Sequence, residues 1–137
     1  MLDFTTEIRV RYADTDQMQF VYNGKYPEYF EVARTEMMRS IGLSYRTLEV
    51  HGFMLPVLEV NVKYKNPAYY DDLLLVRAFV PEIPTLKIHI DYTVHRNEGK
   101  IFVAEGYTEH VFIKNENKKA VRPPEFFIHA IKPFYKD

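Results

Sequence analysis

One long apolar stripe constrains this chain more than any other feature. Tyr26, Phe30, Ala33, Met37 and Ile41 recur at spacings of four, three, four and four. That is the period of an α-helix with a single buried face. Glu28, Glu31, Thr35 and Arg39 fall on the other side. Asn23 is a good N-cap type, Pro27 is tolerated only in a first turn, and Gly42 suits the stop. The pattern therefore predicts a helix over about residues 24–41. No second stripe of that length exists to cover it, so strands must.

The strands are legible by their change of period. "TTEIRVRY" (5–12) alternates before the helix, with Ile8, Val10 and Tyr12 on one face. After a short helical segment, "SYRTLEVHG", capped by Ser44 and ended by Gly52, the period becomes two. "LPVLEVNVKY" sets Leu58, Val60, Val62 and Tyr64 against Glu59, Asn61 and Lys63. "DLLLVRAFV" is more continuously apolar. "LKIHIDYTV" places Leu86, Ile88, Ile90, Tyr92 and Val94 on its buried face. "HRNEGK" reads as a hairpin turn and "IFVAEGYTEHVFI" as the long last strand, with Gly106 at a bulge or close backbone approach. "PPEFFIHAI" suggests one or two terminal helical turns. One strand, one helix and about four strands on short turns imply an antiparallel meander packed on the helix. The expectation is one α+β domain over residues 1–137, with a sheet edge open to pairing with a second copy.

Composition narrows the function classes. A net charge of −1 disfavours nucleic acid and anionic membrane surfaces as partners. No apolar run reaches the ~20 residues of a membrane span, so no membrane insertion is expected. Zero cysteines exclude disulfides, thiolate zinc sites and cysteine nucleophiles, which fits a cytoplasmic protein. Eleven Tyr and ten Phe point to an aromatic-rich sheet, an apolar pocket, or both.

Elimination then removes most catalytic arrangements. Ser40 and Ser44 are the only serines and neither lies in a G-x-S-x-G elbow. The histidines (His51, His89, His95, His110 and His129) form no H-x-x-x-H pair and read as surface or sheet-face imidazoles. Neither a P-loop nor a G-x-G-x-x-G after a strand occurs, so no metal or nucleotide cofactor is expected. What remains is "RYADTDQMQFVYNGKYPEY". Asp14 and Asp16 lie between a strand and a helix, where acids commonly serve turns and caps. A helix start also offers N–H groups without intrahelical acceptors and a positive dipole end. A carbonyl held at the backbone N–H of Asn23 or Gly24 would be polarised, and a nearby carboxylate can attack it or activate water.

These residues resemble a known family. "Y-x-D-T-D-x-M", then "V-Y-x-x-x-Y-x-x-Y-F-E-x-x-R", with "LPV" and "NPA" downstream and "VRPPEF" near the end, is similar to the 4-hydroxybenzoyl-CoA thioesterase branch of the hot-dog superfamily. The resemblance implies about five antiparallel strands wrapped round the helix, homodimers or homotetramers, and acyl-CoA hydrolysis with no cofactor, CoA being part of the substrate. It implies Asp16 as catalytic carboxylate, Asn23 as the helix-start backbone N–H donor and Tyr12 as a site tyrosine. It also implies an interfacial substrate site, with Gly24, Tyr26, Pro56 and Val57 as binding candidates. Thr85 and Lys87 are candidates for the CoA phosphates, with Lys63 and Lys65 as further basic positions. Asp14 is the loop-fixing acid, Glu31 and Arg34 an exposed ion pair, and Tyr69–Tyr70 and Phe126–Phe127 packing residues. Three positions depart from the family pattern: Gln19 stands at a common Gly, Asn23 at a common His, and Pro27 is atypical in the first helical turn. A non-hydrolytic acyl-CoA or acyl-carrier-protein binder, and a scaffold whose dimer interface is its function, stand as alternatives.

Overall fold

A computed structural model of the chain describes residues 1–135, so Lys136 and Asp137 of the expected domain lie outside the described residues. Helix α1 (Tyr26–Ser40) buries Tyr26, Phe30, Ala33 and Met37, four members of the stripe. Asn23 does not cap it. Asn23 opens a 3₁₀ turn, Asn23–Lys25, that leads into α1 without a side-chain cap, and Pro27 sits in the first helical turn. At the other end Gly42 has φ +78°. Its N–H donates to Arg39 O and that of Leu43 to Met38 O, both at 3.0 Å. Those are the two bonds of a Schellman stop.

The first strand, β1 (Leu2–Arg9), begins and ends earlier than the alternation suggested. Tyr12 has left the sheet for a 3₁₀ turn, Tyr12–Asp14, because the Asp14 carboxylate accepts the Arg11 N–H at 3.1 Å and folds the chain back. A short helix α2 (Tyr45–Val50) follows α1, with Thr47 N–H donating to Ser44 Oγ at 3.2 Å. Then come β2 (Phe53–Met54), β3 (Val57–Tyr64), β4 (Leu73–Val80), β5 (Ile88–Arg96), β6 (Ile101–His110), β7 (Phe112–Lys114), β8 (Ala120–Val121) and helix α3 (Glu125–Ile131).

The main sheet is antiparallel, in the order β1-β4-β5-β6-β3, and β2-β7-β8 form a small second sheet. Only β4, β5 and β6 make the expected meander. β3 lies beyond β6, so the segment 65–72 crosses the sheet end to reach β4. The expectation failed on reach. Three strand spacings are ~14 Å, and eight extended residues span up to about 26–29 Å.

The core lies between α1 and the sheet. Ile88, Ile90, Tyr92 and Val94 of β5 are buried as their alternation required, whereas Leu86 lies outside the strand and is exposed. Phe30 stacks on Tyr92 with centroids 4.2 Å apart. Gly106 lets the helix come this close. A Cβ there would sit 2.0 Å from Asn61 O and 2.9 Å from Phe30 Cε2, so this glycine marks a close approach.

Two core residues correct the sequence reading. Arg34 turns inward beside Tyr45 and Tyr92 instead of pairing with exposed Glu31. His110 is fully buried, not on a surface. Its Nδ1 donates to Leu55 O at 3.3 Å and its Nε2 meets Thr108 Oγ1 at 2.9 Å, while Tyr92 Oη lies 2.7 Å from the same hydroxyl. A neutral ring satisfies this chain: Tyr92 donates to Thr108, and Thr108 donates to Nε2. Burial, and then the Arg34 charge, push the His110 pKa down to about 4. Unfolded, the ring takes a proton near pH ~6.5, so the folded state loses stability as pH falls from there toward the folded pKa. Urea unfolding at pH 7 and 4.5 should therefore differ by about 2–3 kcal/mol through this residue. His110→Gln should flatten that slope.

Candidate active site

Asp14 organises the loop before α1. It is 2% exposed. Oδ2 accepts the Tyr29 hydroxyl at 2.9 Å and the Arg11 N–H at 3.1 Å, and Oδ1 faces the Arg11 guanidinium at 3.3 Å and Lys25 Nζ at 3.6 Å. Burial raises its pKa, but the Arg11 N–H, the Tyr29 hydroxyl and the two cations outweigh burial and hold the carboxyl below its usual range. Asp14 is the loop-fixing acid the sequence suggested.

The loop is a closed hairpin. Thr15 bridges Val21, Tyr22 N–H donates to Asp14 O at 2.8 Å, and Asp16 N–H donates to Phe20 O at 3.2 Å. Gln19 N–H returns to Asp16 O at 2.9 Å, with Gln19 at φ +70°. Three-residue hairpin loops place a left-handed residue here, which favours glycine. Gln19 therefore keeps the path a glycine would take, at the cost of some strain. At the base of this loop Asp16 is half-buried. Its Oδ1 accepts the Met18 N–H at 2.9 Å, and among the described residues nothing donates to Oδ2.

Asp16, Asn23 and Tyr26 line one open cavity of about 490 Å³ together with Tyr22, Tyr64 and Lys65. The N–H groups of Asn23 and Gly24 open the 3₁₀ turn, where no intrahelical acceptor exists, and neither has a partner among the described residues. A Cβ at Gly24 would lie 2.5 Å from Tyr22 Cε2, so a larger residue there would displace that exposed ring. The floor is aromatic. Tyr26 meets Tyr29 and Tyr64 edge-on at 5.6 and 5.4 Å, and burial pushes its own pKa to about 12. The Tyr26 and Tyr29 hydroxyls stay protonated as hydrogen-bond donors.

Other candidates lie elsewhere in the single chain. Tyr12 is 73% exposed and stacks on Tyr70 at 3.8 Å, outside the Asp16 cavity. Pro56 borders a second cavity of about 280 Å³ with Tyr45 and Leu48, and Val57 starts the exposed strand β3. Thr85 and Lys87 line a third, of about 340 Å³, beside His89 and Asp91. Of the further basic positions, Lys65 reaches the Asp16 cavity and Lys63 the outer face of the sheet. Phe126 and Phe127 pack on Phe53 and Phe112. Sequence reasoning missed Tyr29, Lys25 and Tyr64. Tyr29 had a signal, one turn after Tyr26 in "YPEYF"; the other two act through contacts that no local pattern encodes.

One long helix enfolded by five antiparallel strands, with an acid-bearing hairpin at the helix start, defines a hot-dog protein. The chain belongs to the Thioesterase-like superfamily, whose family model matches residues 10–131. It is 30% identical to the Bacillus subtilis protein YneP over 85% of this chain and 83% of that one. It is 36% identical to the acyl-CoA thioesterase YbgC of Haemophilus influenzae over 71% and 74%. The DHNA-CoA thioesterase of Staphylococcus aureus superposes with a TM-score of 0.90 at 31% identity, over 98% of this chain and 91% of that one.

The hairpin geometry sets the outcome of changing Gln19. Left-handed φ costs a residue with a Cβ about 1–2 kcal/mol, and glycine's unfolded-state entropy offsets roughly 0.5–1 of that. Gln19→Gly should raise stability by up to about 1 kcal/mol, and Gln19→Val should lower it by more than about 1, both read from urea melts.

Proposed function

We propose that this chain hydrolyses acyl-CoA thioesters at the Asp16 cavity. One observation carries the reading: Asp16, with one carboxylate oxygen unengaged among the described residues, and Asn23, which opens the helix start and is followed by Gly24, border the same aromatic-lined space. The names of similar proteins, an acyl-CoA thioesterase and a DHNA-CoA thioesterase, support the same substrate chemistry. The thioester oxygen accepts from the Asn23 and Gly24 N–H groups, which stabilise the oxyanion as the carbonyl is attacked. Because these donors are backbone groups, a side-chain change at Asn23 leaves them in place. Asp16 Oδ2 either attacks the carbonyl, giving an anhydride that water opens, or takes a proton from water as the water attacks. In both routes the water oxygen ends in the acid and its proton on the departing CoA thiolate. A thiolate is a good leaving group, near pKa ~8.5 for a simple thiol, and needs no metal to leave.

The site is proposed to be completed by a second copy. β3 is a sheet edge with Val57, Leu58 and Val60 exposed. Antiparallel pairing of two such edges about a two-fold axis sets the Val57 end of one strand beside the Tyr64 end of the other. The partner subunit's Pro56 and Val57 then face the Asp16 cavity, which accounts for two candidates that lie apart in one chain. Thr85 and Lys87 remain candidates for the CoA phosphates, and Tyr12 for the outer rim.

Thiol release should be followed across short, long and aromatic acyl-CoAs. Asp16→Asn should lower kcat by ~10²–10⁴-fold without changing the unfolding midpoint, and a variant with near-wild-type turnover would remove Asp16 from the chemistry. Ligand-induced thermal stabilisation without thiol release would instead indicate a binding protein. Val60→Lys sets like charges on paired edges and should turn a dimer into a monomer by light scattering. An unchanged mass would place the interface elsewhere.

A further inference from the structure

Tyr64 closes β3, and the sequence assigns it only to a sheet face. Its hydroxyl donates to the carbonyl oxygen of Asn23, 3.1 Å away and 41 positions earlier in the chain. This bond links the edge strand to the turn that starts the helix. The ring is held edge-on against buried Tyr26 at 5.4 Å, so the hydroxyl is aimed by packing. The same carbonyl also accepts the Tyr26 N–H.

Peptide geometry gives this contact a chemical consequence. The Asn23 carbonyl and the Gly24 N–H belong to one planar trans amide, so fixing the direction of the C=O fixes that of the N–H. A glycine at the hinge otherwise makes rotation of that plane cheap. A donor on the carbonyl also polarises the amide and strengthens its N–H as a donor, by roughly 10–30%.

We propose that Tyr64 is a positioning residue for thioester hydrolysis, acting through the Asn23–Gly24 amide to orient and strengthen the Gly24 N–H at the reacting carbonyl. The proposal rests on the thioesterase reading above. Tyr64 touches no reacting atom in this role, and its effect belongs to the transition state, where negative charge develops on the oxygen.

Tyr64→Phe removes the hydroxyl and keeps the ring against Tyr26. It should lower kcat by about tenfold or more while KM, dimer mass and unfolding midpoint stay unchanged. In the ligand-free protein, the ¹³C resonance of the Asn23 carbonyl and the ¹⁵N resonance of Gly24 should move, a response that loss of packing alone would not confine to this amide. A kcat within about twofold of wild type, a proportional rise in KM in place of a fall in kcat, or an unmoved Asn23 carbonyl resonance overturns the proposal. Wild-type protein that releases no thiol from any acyl-CoA defeats the thioesterase reading and the catalytic role with it. Active wild type with an unaffected Tyr64→Phe variant defeats only the role of Tyr64.

Discussion

The site depends on one buried carboxylate. Asp14 is almost fully removed from water, and a carboxylate there is tolerable only if its oxygens are engaged by donors and cations. Arg11 meets it from the strand side, Tyr29 from within α1, and Lys25 from the helix start. These contacts fix the hairpin against the helix and thereby set the place of Asp16, two residues on. Removing one donor would leave the others around an under-compensated charge, so the arrangement holds together or fails as a unit. Burial separates the two acids of "DTD": Asp14 is enclosed and fixes the loop, while half-buried Asp16 borders the cavity.

A second constraint is how closely the helix lies on the sheet. Gly106 admits the Phe30 ring, Phe30 stacks on Tyr92, and the Tyr92 hydroxyl starts the relay through Thr108 to His110. The helix axis is therefore set by a missing side chain on one strand and a polar chain on two. Because α1 carries the Asn23–Lys25 turn at its start, sheet packing and the direction of the free N–H groups are mechanically one problem.

Much of this was legible in the sequence, and the misses share a cause. The 3.6 and 2.0 periods located α1 and the faces of β4 and β5, because burial acts on each residue's own side chain. The roles assigned to Asp14 and Asp16 came from family resemblance; residue types alone favoured a capping turn over a catalytic acid. Periodicity was silent on which strands pair, so β3 was placed next to β4 when it lies beyond β6. Arg34 was read as exposed and His110 as a surface or sheet-face ring because polarity is read locally, whereas their burial depends on partners such as Tyr92 and Thr108 on the strands. Tyr64 follows the same rule: its hydrogen-bond acceptor is 41 positions away.

The edge formed by β3 has a consequence for the life of the single chain. A newly made chain presents a row of unpaired N–H and C=O groups flanked by Val57, Leu58 and Val60, with only Glu59 and Lys63 as exposed charges along the strand. Such a strand is a template for any extended segment it meets, and few gatekeeping charges deter the wrong one. Covering that edge is then a matter of solubility as well as architecture. While it stays open, misassembly and proteolysis act on it.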